Sequence, residues 1–66
     1  MKIIIKASIR AVAHLQVLIN PIYEYSINQE LNNNLWTIEF KAFSALEVVL
    51  ALIQGEKNIQ LWDVIR

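Results

Sequence analysis

Cysteine is absent from this 66-residue chain, and glycine, proline and histidine occur once each. Without cysteine there is no disulfide and no thiolate metal site. One imidazole cannot by itself furnish a structural zinc site. Charge of a single sign is missing as well: six Lys and Arg face six Asp and Glu, so the formal net charge is zero. No generic electrostatic pull toward nucleic acid or an anionic membrane is indicated. Nor does net charge resist self-association. Long apolar runs are also lacking. A spanning helix needs about 20 mostly apolar residues, whereas segments 11–19 and 42–53 are shorter and carry His14, Gln16, Ser44 and Glu47. The opening Met1-Lys2-Ile3-Ile4-Ile5-Lys6 has the outline of a secretion signal, but Lys6 and Arg10 break its apolar part and no small-residue cleavage site follows. The expectation is a soluble cytoplasmic protein with no membrane partner.

What is present is apolar surface. Hydrophobic residues make up 56% of the chain and charged residues 18%. For a chain of 7.7 kDa, surface scaling gives about 4,300 Å² folded and about 11,000 Å² unfolded. If some 60% of the roughly 6,800 Å² removed is apolar, burial contributes about 100 kcal/mol. Ordering the chain costs about 1.5 kcal/mol per residue, again about 100 kcal/mol. The two cancel. Small domains escape this balance through disulfides, metals or association, and the composition leaves association unless the single core packs unusually well. The chain is expected to be a homo-oligomer or to rest on a larger protein.

The strongest local signal lies toward the C-terminus. Ser44-Ala45-Leu46-Glu47 has the spacing of a capping box, with Phe43 and Val48 as a hydrophobic staple. Leu46, Val49, Leu50 and Ile53 then recur at helical spacing, and Gly55 supplies a left-handed stop. A helix is predicted over 45–54. Residues 2–6 are β-branched and read as a strand. Residues 8–19 place Val12, Leu15 and Ile19 on one side and read as a helix that ends at Asn20-Pro21. A single helix over 3–19 is the rival, opposed by Ile3-Ile4-Ile5. Residues 22–27 read as a strand, 28–34 as an asparagine-rich loop, 36–41 as a cleanly alternating strand, and 59–65 as a last, less regular strand.

The order β-α-β-β-α-β over a single domain, residues 1–66, resembles the ferredoxin-like arrangement. This is an α+β fold with two helices on one face of a four-stranded antiparallel sheet. The resemblance is one of pattern over the whole chain and assigns no function. Members that bind RNA carry a basic-Gly-aromatic-Gly-aromatic pattern in the third strand; here that stretch is Leu35-Trp36-Thr37-Ile38-Glu39-Phe40. Heavy-metal carriers have paired cysteines in the first loop, which here is Lys6-Ala7-Ser8. Ligand-sensing members of the ACT type place a glycine near the start of the first helix, and the one glycine here is Gly55.

In such a fold the open sheet face is the natural place for a partner. Alternation sends Trp36, Ile38 and Phe40 inward with Ile3 and Ile5. Ile4, Leu35, Thr37 and Glu39 then face outward with Lys2, Lys6 and Lys41. Tyr23 and Tyr25 join that face if the second strand turns them out, and the reading leaves their direction open. Val48 and Leu52, with Val17, add an apolar helical surface. The interface expected from sequence therefore comprises Ile4, Leu35, Tyr23, Tyr25, Lys2, Lys6, Lys41, Val48 and Leu52. His14 reads as a solvated helix residue and Asp63 as a guard on an edge strand. Glu24 and Glu39 are two carboxylates without a defined relation. No phosphate loop, metal motif or nucleophile elbow occurs. The expected function is that of a small non-catalytic protein-interaction module without cofactor or metal. A nucleic-acid binder using the open face and a small-ligand sensor at a dimer interface are the alternatives.

Overall fold

Ile3, Ile5 and Ala7 alternate with Lys2, Ile4 and Lys6, so the first segment forms a strand with one buried face: β1, Lys2–Ala7. The computed structural model describes residues 1–30 and 34–66. Ser8 breaks the strand and starts helix α1, Ile9–Ile19; its Oγ accepts the Ala11 N–H at 3.2 Å. That cap separates strand from helix and removes the single-helix rival. Val12, Leu15 and Ile19 form the buried stripe of α1. Strands β2, Tyr25–Gln29, and β3, Leu35–Phe40, make a hairpin. Helix α2, Phe43–Gln54, and strand β4, Ile59–Ile65, complete the chain.

The sheet order is β2-β3-β1-β4 with every neighbouring pair antiparallel. This is the ferredoxin-like α+β arrangement. The core gathers Ile3, Ile5 and Ala7 from β1, Trp36, Ile38 and Phe40 from β3, the α1 stripe, and Ala45, Leu46, Val49 and Ile53 from α2, with Ile59 from β4. One buried polar group needs a partner and has one: Trp36 Nε1 donates to the Ala7 carbonyl at 2.9 Å. At the other end of the chain, Arg66 lies 3.1 Å from the Glu47 carboxylate with its guanidinium 5.4 Å from the Phe43 ring centre. These contacts fasten the last residue to α2.

Several expectations about termini are corrected. Helix α2 begins at Phe43 with Ala42 in the capping position, in extended backbone (φ −113°, ψ 136°) and with no side-chain cap. Ser44 is therefore inside the first turn and forms no capping box. Phe43 and Val48 are both exposed and form no staple. Gly55 has φ −82° and ψ −6°, so α2 stops without a left-handed residue. The left-handed conformation falls instead at Asn34, φ 65°, inside the expected asparagine loop. Asparagine tolerates it. The middle of that loop, residues 31–33, lies outside the described residues. Strand β2 starts three residues later than expected. The Ile22 and Tyr23 amides both donate to the Ile19 carbonyl, at 3.1 and 3.0 Å, which draws them into the turn that closes α1.

Candidate functional site

Register decides which side chains share a face, because directly opposed residues in an antiparallel pair point the same way. Ile4 opposes Thr37, Lys2 opposes Glu39 and Lys6 opposes Leu35, all away from the core. On β2, Ser26 opposes Glu39 and Asn28 opposes Thr37. On β4, Ile65 opposes Lys2, and Asp63 opposes Ile4. The open face is thus unequal. Its β2 side is polar, with Ser26, Asn28, Thr37 and Glu39. Its β1–β4 side carries Ile4 and Ile65. Leu35 and Ile4 are half-buried on this face as alternation suggested, and Lys6 is exposed.

The tyrosines do not join that face. Tyr25 opposes Phe40 and Ile27 opposes Ile38, which puts Tyr25 on the core side. Its ring lies 6.3 Å from that of Phe40, tilted by 43°. Tyr23 precedes β2 and packs against the core as well. The direction left open for the two tyrosines is thus inward, and neither belongs to the open-face set expected from sequence. The physical reason is that Ile22 and Tyr23 are consumed by the α1 turn, so pairing with β3 sets the direction of Tyr25. Lys41 follows β3 and lies 3.4 Å from the exposed Glu24 carboxylate.

These displaced residues surround a cleft of about 750 Å³ at the end of the sheet where β2 begins and β3 ends. Tyr23, Tyr25 and Phe40 line it, with Gln16 and Asn20 from the end of α1. The Tyr25 hydroxyl donates to Asn20 Oδ1, which holds the ring in place. Glu24, Glu39 and Lys41 are the charged residues among its lining. Gln16 and Asn20 were not legible as site residues: three separated stretches of chain meet there, and no local pattern marks them.

The edge strand β4 carries a second feature that sequence reasoning missed. Between Ile4 and Ile5 the register slips, with partners Asp63 and Leu61, so Trp62 is the extra residue of a bulge. Trp62 is 55% exposed, Ile65 42% and Leu61 40%. The irregular apolar pattern of 59–65 was the available signal. Asp63 is on the edge strand, and its Oδ1 accepts the Val64 amide at 2.8 Å. On the helices, Val17 and Val48 are exposed, whereas Leu52 packs partly against the core. His14 is exposed and 3.7 Å from Glu56. Among the described residues no three His, Asp or Glu side chains gather as a metal site, and no helix is long and apolar enough to cross a membrane. No protein-family model matches the chain, and neither a curated protein nor a solved structure matches it.

Proposed function

We propose that this chain is a small interaction module without catalytic chemistry, and that its partner is a second copy of itself. The observation that carries this reading is the exposure of Trp62 on strand β4, whose Ile65 is exposed on the open face. A tryptophan presents up to about 250 Å² of surface, and leaving more than half of it in water forgoes stabilisation that a partner would supply. A stable dimer contact needs about 800 Å² from each subunit. That is under a fifth of this chain's 4463 Å² surface. Zero net charge sets no long-range repulsion between two copies. A two-fold contact would use the same patch on both.

The contact is by side-chain packing and not by extension of the sheet. A bulge and an acid both blunt an edge strand, and β4 has both, with Asp63 also engaging the Val64 amide within the strand. Ile4 and Ile65, on the neighbouring part of the open face, extend the patch. Lys2 and Lys6 form its rim, where exposed charges contribute little.

Sedimentation velocity on single variants tests this. Trp62→Glu and Ile4→Glu are expected to convert an associating protein to a monomer, while Lys2→Ala and Lys6→Ala leave association nearly intact. The opposite ranking, with salt-dependent oligonucleotide binding that the lysine changes abolish, would favour the nucleic-acid reading. Tyr25→Glu is not a probe of the surface, because Tyr25 lies on the core side.

A further inference from the structure

We propose that the outer edge of strand β2 takes an extended segment of another protein as an added antiparallel strand. That segment alternates apolar and polar residues and carries a lysine or arginine at the end facing Glu30. β2 is the last strand on its side of the sheet. The Glu30 amide donates to the Leu35 carbonyl at 2.8 Å. Bonded residues alternate in an antiparallel pair, so with Asn28 opposite Thr37 and Ser26 opposite Glu39 the residues of β2 that bond to β3 are Ser26 and Asn28. The other side of β3 agrees. The Phe40 amide donates to the Met1 carbonyl and the Ala7 amide to the Asn34 carbonyl, both at 2.8 Å, so the even-numbered residues of β3 are turned to β1. Tyr25, Ile27 and Gln29 therefore aim amide and carbonyl away from β3. Among the described residues no hydrogen bond outside the strand ladders uses those groups.

The two edges of the sheet are unlike. β4 has a bulge and Asp63, whereas β2 pairs with β3 in unbroken register and holds neither proline nor charge. It lacks the devices that keep an edge from pairing, and an open edge recruits an extended peptide through its main chain. Side chains of an added strand share the faces of those they oppose. Opposite Tyr25 and Ile27 they fall on the core side, where both residues are half-buried and line the cleft with Gln16 and Asn20. Apolar side chains suit that place. Opposite Ser26 and Asn28 they fall on the polar part of the open face. Charge decides between occupants. Glu30 is exposed, accepts the Thr37 hydroxyl at 2.6 Å and, among the described residues, makes no ion pair within 4 Å. A second copy that paired all three outward residues, with Ile27 opposite Ile27, would set its Glu24 against Glu30. Like charges directly opposed are destabilising, and opposite charges stabilise. A foreign strand with a cation at that position fits better.

Amide-resolved NMR titration of the full chain with the capped peptide Lys-Val-Thr-Leu-Thr-Val-Thr tests this. Saturable shifts are expected along β2, with slowed hydrogen exchange at the Tyr25, Ile27 and Gln29 amides. Methylating the valine and leucine amides of the peptide, which face β2 in the antiparallel register, should abolish binding; methylating its threonine amides should not. A peptide with glutamate in place of lysine should bind about fivefold more weakly, the upper range for one exposed charge pair. Glu30→Gln should remove that difference. Gln29→Pro should weaken binding about fivefold by removing one outward donor; proline is tolerated where an edge amide faces solvent, and the spectrum of the free variant verifies the fold. No saturable shift, shifts centred outside β2, equal binding of the two methylated peptides, or no preference for lysine would overturn the proposal. So would protection of the same three amides that rises with protein concentration in the absence of peptide, which would assign the edge to a second copy. The Trp62→Glu variant should bind the peptide as the parent does, so this test and that of self-association through β4 fail separately.

Discussion

Ser8 satisfies one of the four amide donors that a helix leaves open at its start, and it does so from extended backbone, φ −69° and ψ 159°. Ser44 has the same chemistry but sits inside α2, where it forms no cap bond. Ser8→Ala is therefore expected to cost about 1 kcal/mol, and Ser44→Ala close to nothing, in urea denaturation monitored by circular dichroism. Equal costs would place the start of α2 elsewhere. Gly55 is a second case in which residue type and conformation part company. Its backbone is right-handed, and an added Cβ would meet only the Leu52 carbonyl oxygen, at an ordinary 3.5 Å. Gly55→Ala should stabilise the fold by up to about 1 kcal/mol by restricting the unfolded chain. A loss of stability would mean that this glycine needs its freedom after all.

Among the elements, α2 is the one with an unused opportunity. Its capping residue, Ala42, has the extended backbone that Asp or Ser adopts at this place, and no acid lies in the first turn. Ala42→Asp should accept a free amide and favour the positive end of the helix dipole, adding about 1 kcal/mol. Thermal melts of the variant beside the parent would register it, and an unchanged or lower midpoint would contradict it. The elements also show what sequence pattern can and cannot carry. β3 was legible because strict alternation has one reading: Trp36, Ile38 and Phe40 are buried, Thr37 and Glu39 face away. The stripes of α1 and α2 were legible for the same reason, apart from Leu50, which is only partly buried. β2 was not. Ile22, Tyr23, Tyr25 and Ile27 are all good strand residues, so propensity could not show that the first two belong to the turn after Ile19. Nor could it choose between faces that are each part apolar. Pairing with β3, a contact between distant parts of the chain, settles both.

For the molecule as a whole, the order of elements follows from punctuation by Ser8, Pro21, Asn34 and Gly55 more than from any motif. The surface features do not. The cleft needs residues 16–20, 23–27 and 39–41 to converge, and the exposed Trp62 depends on a bulge in register. Both arise only once the sheet is assembled. The apolar excess of the chain is taken up in part by the core and in part left on the surface, at β4 and on the outer sides of the helices. Small domains with neither disulfide nor metal commonly gain stability by association, and the β4 patch offers a place for it. Sedimentation equilibrium from low-micromolar to millimolar protein measures this most directly. The mass is expected to rise from 7.7 kDa toward twice that value with concentration, insensitive to salt, while a Trp62→Glu variant remains at the lower mass throughout. A parent that stays at the monomer mass over the whole range, with a melting midpoint independent of concentration, would contradict it.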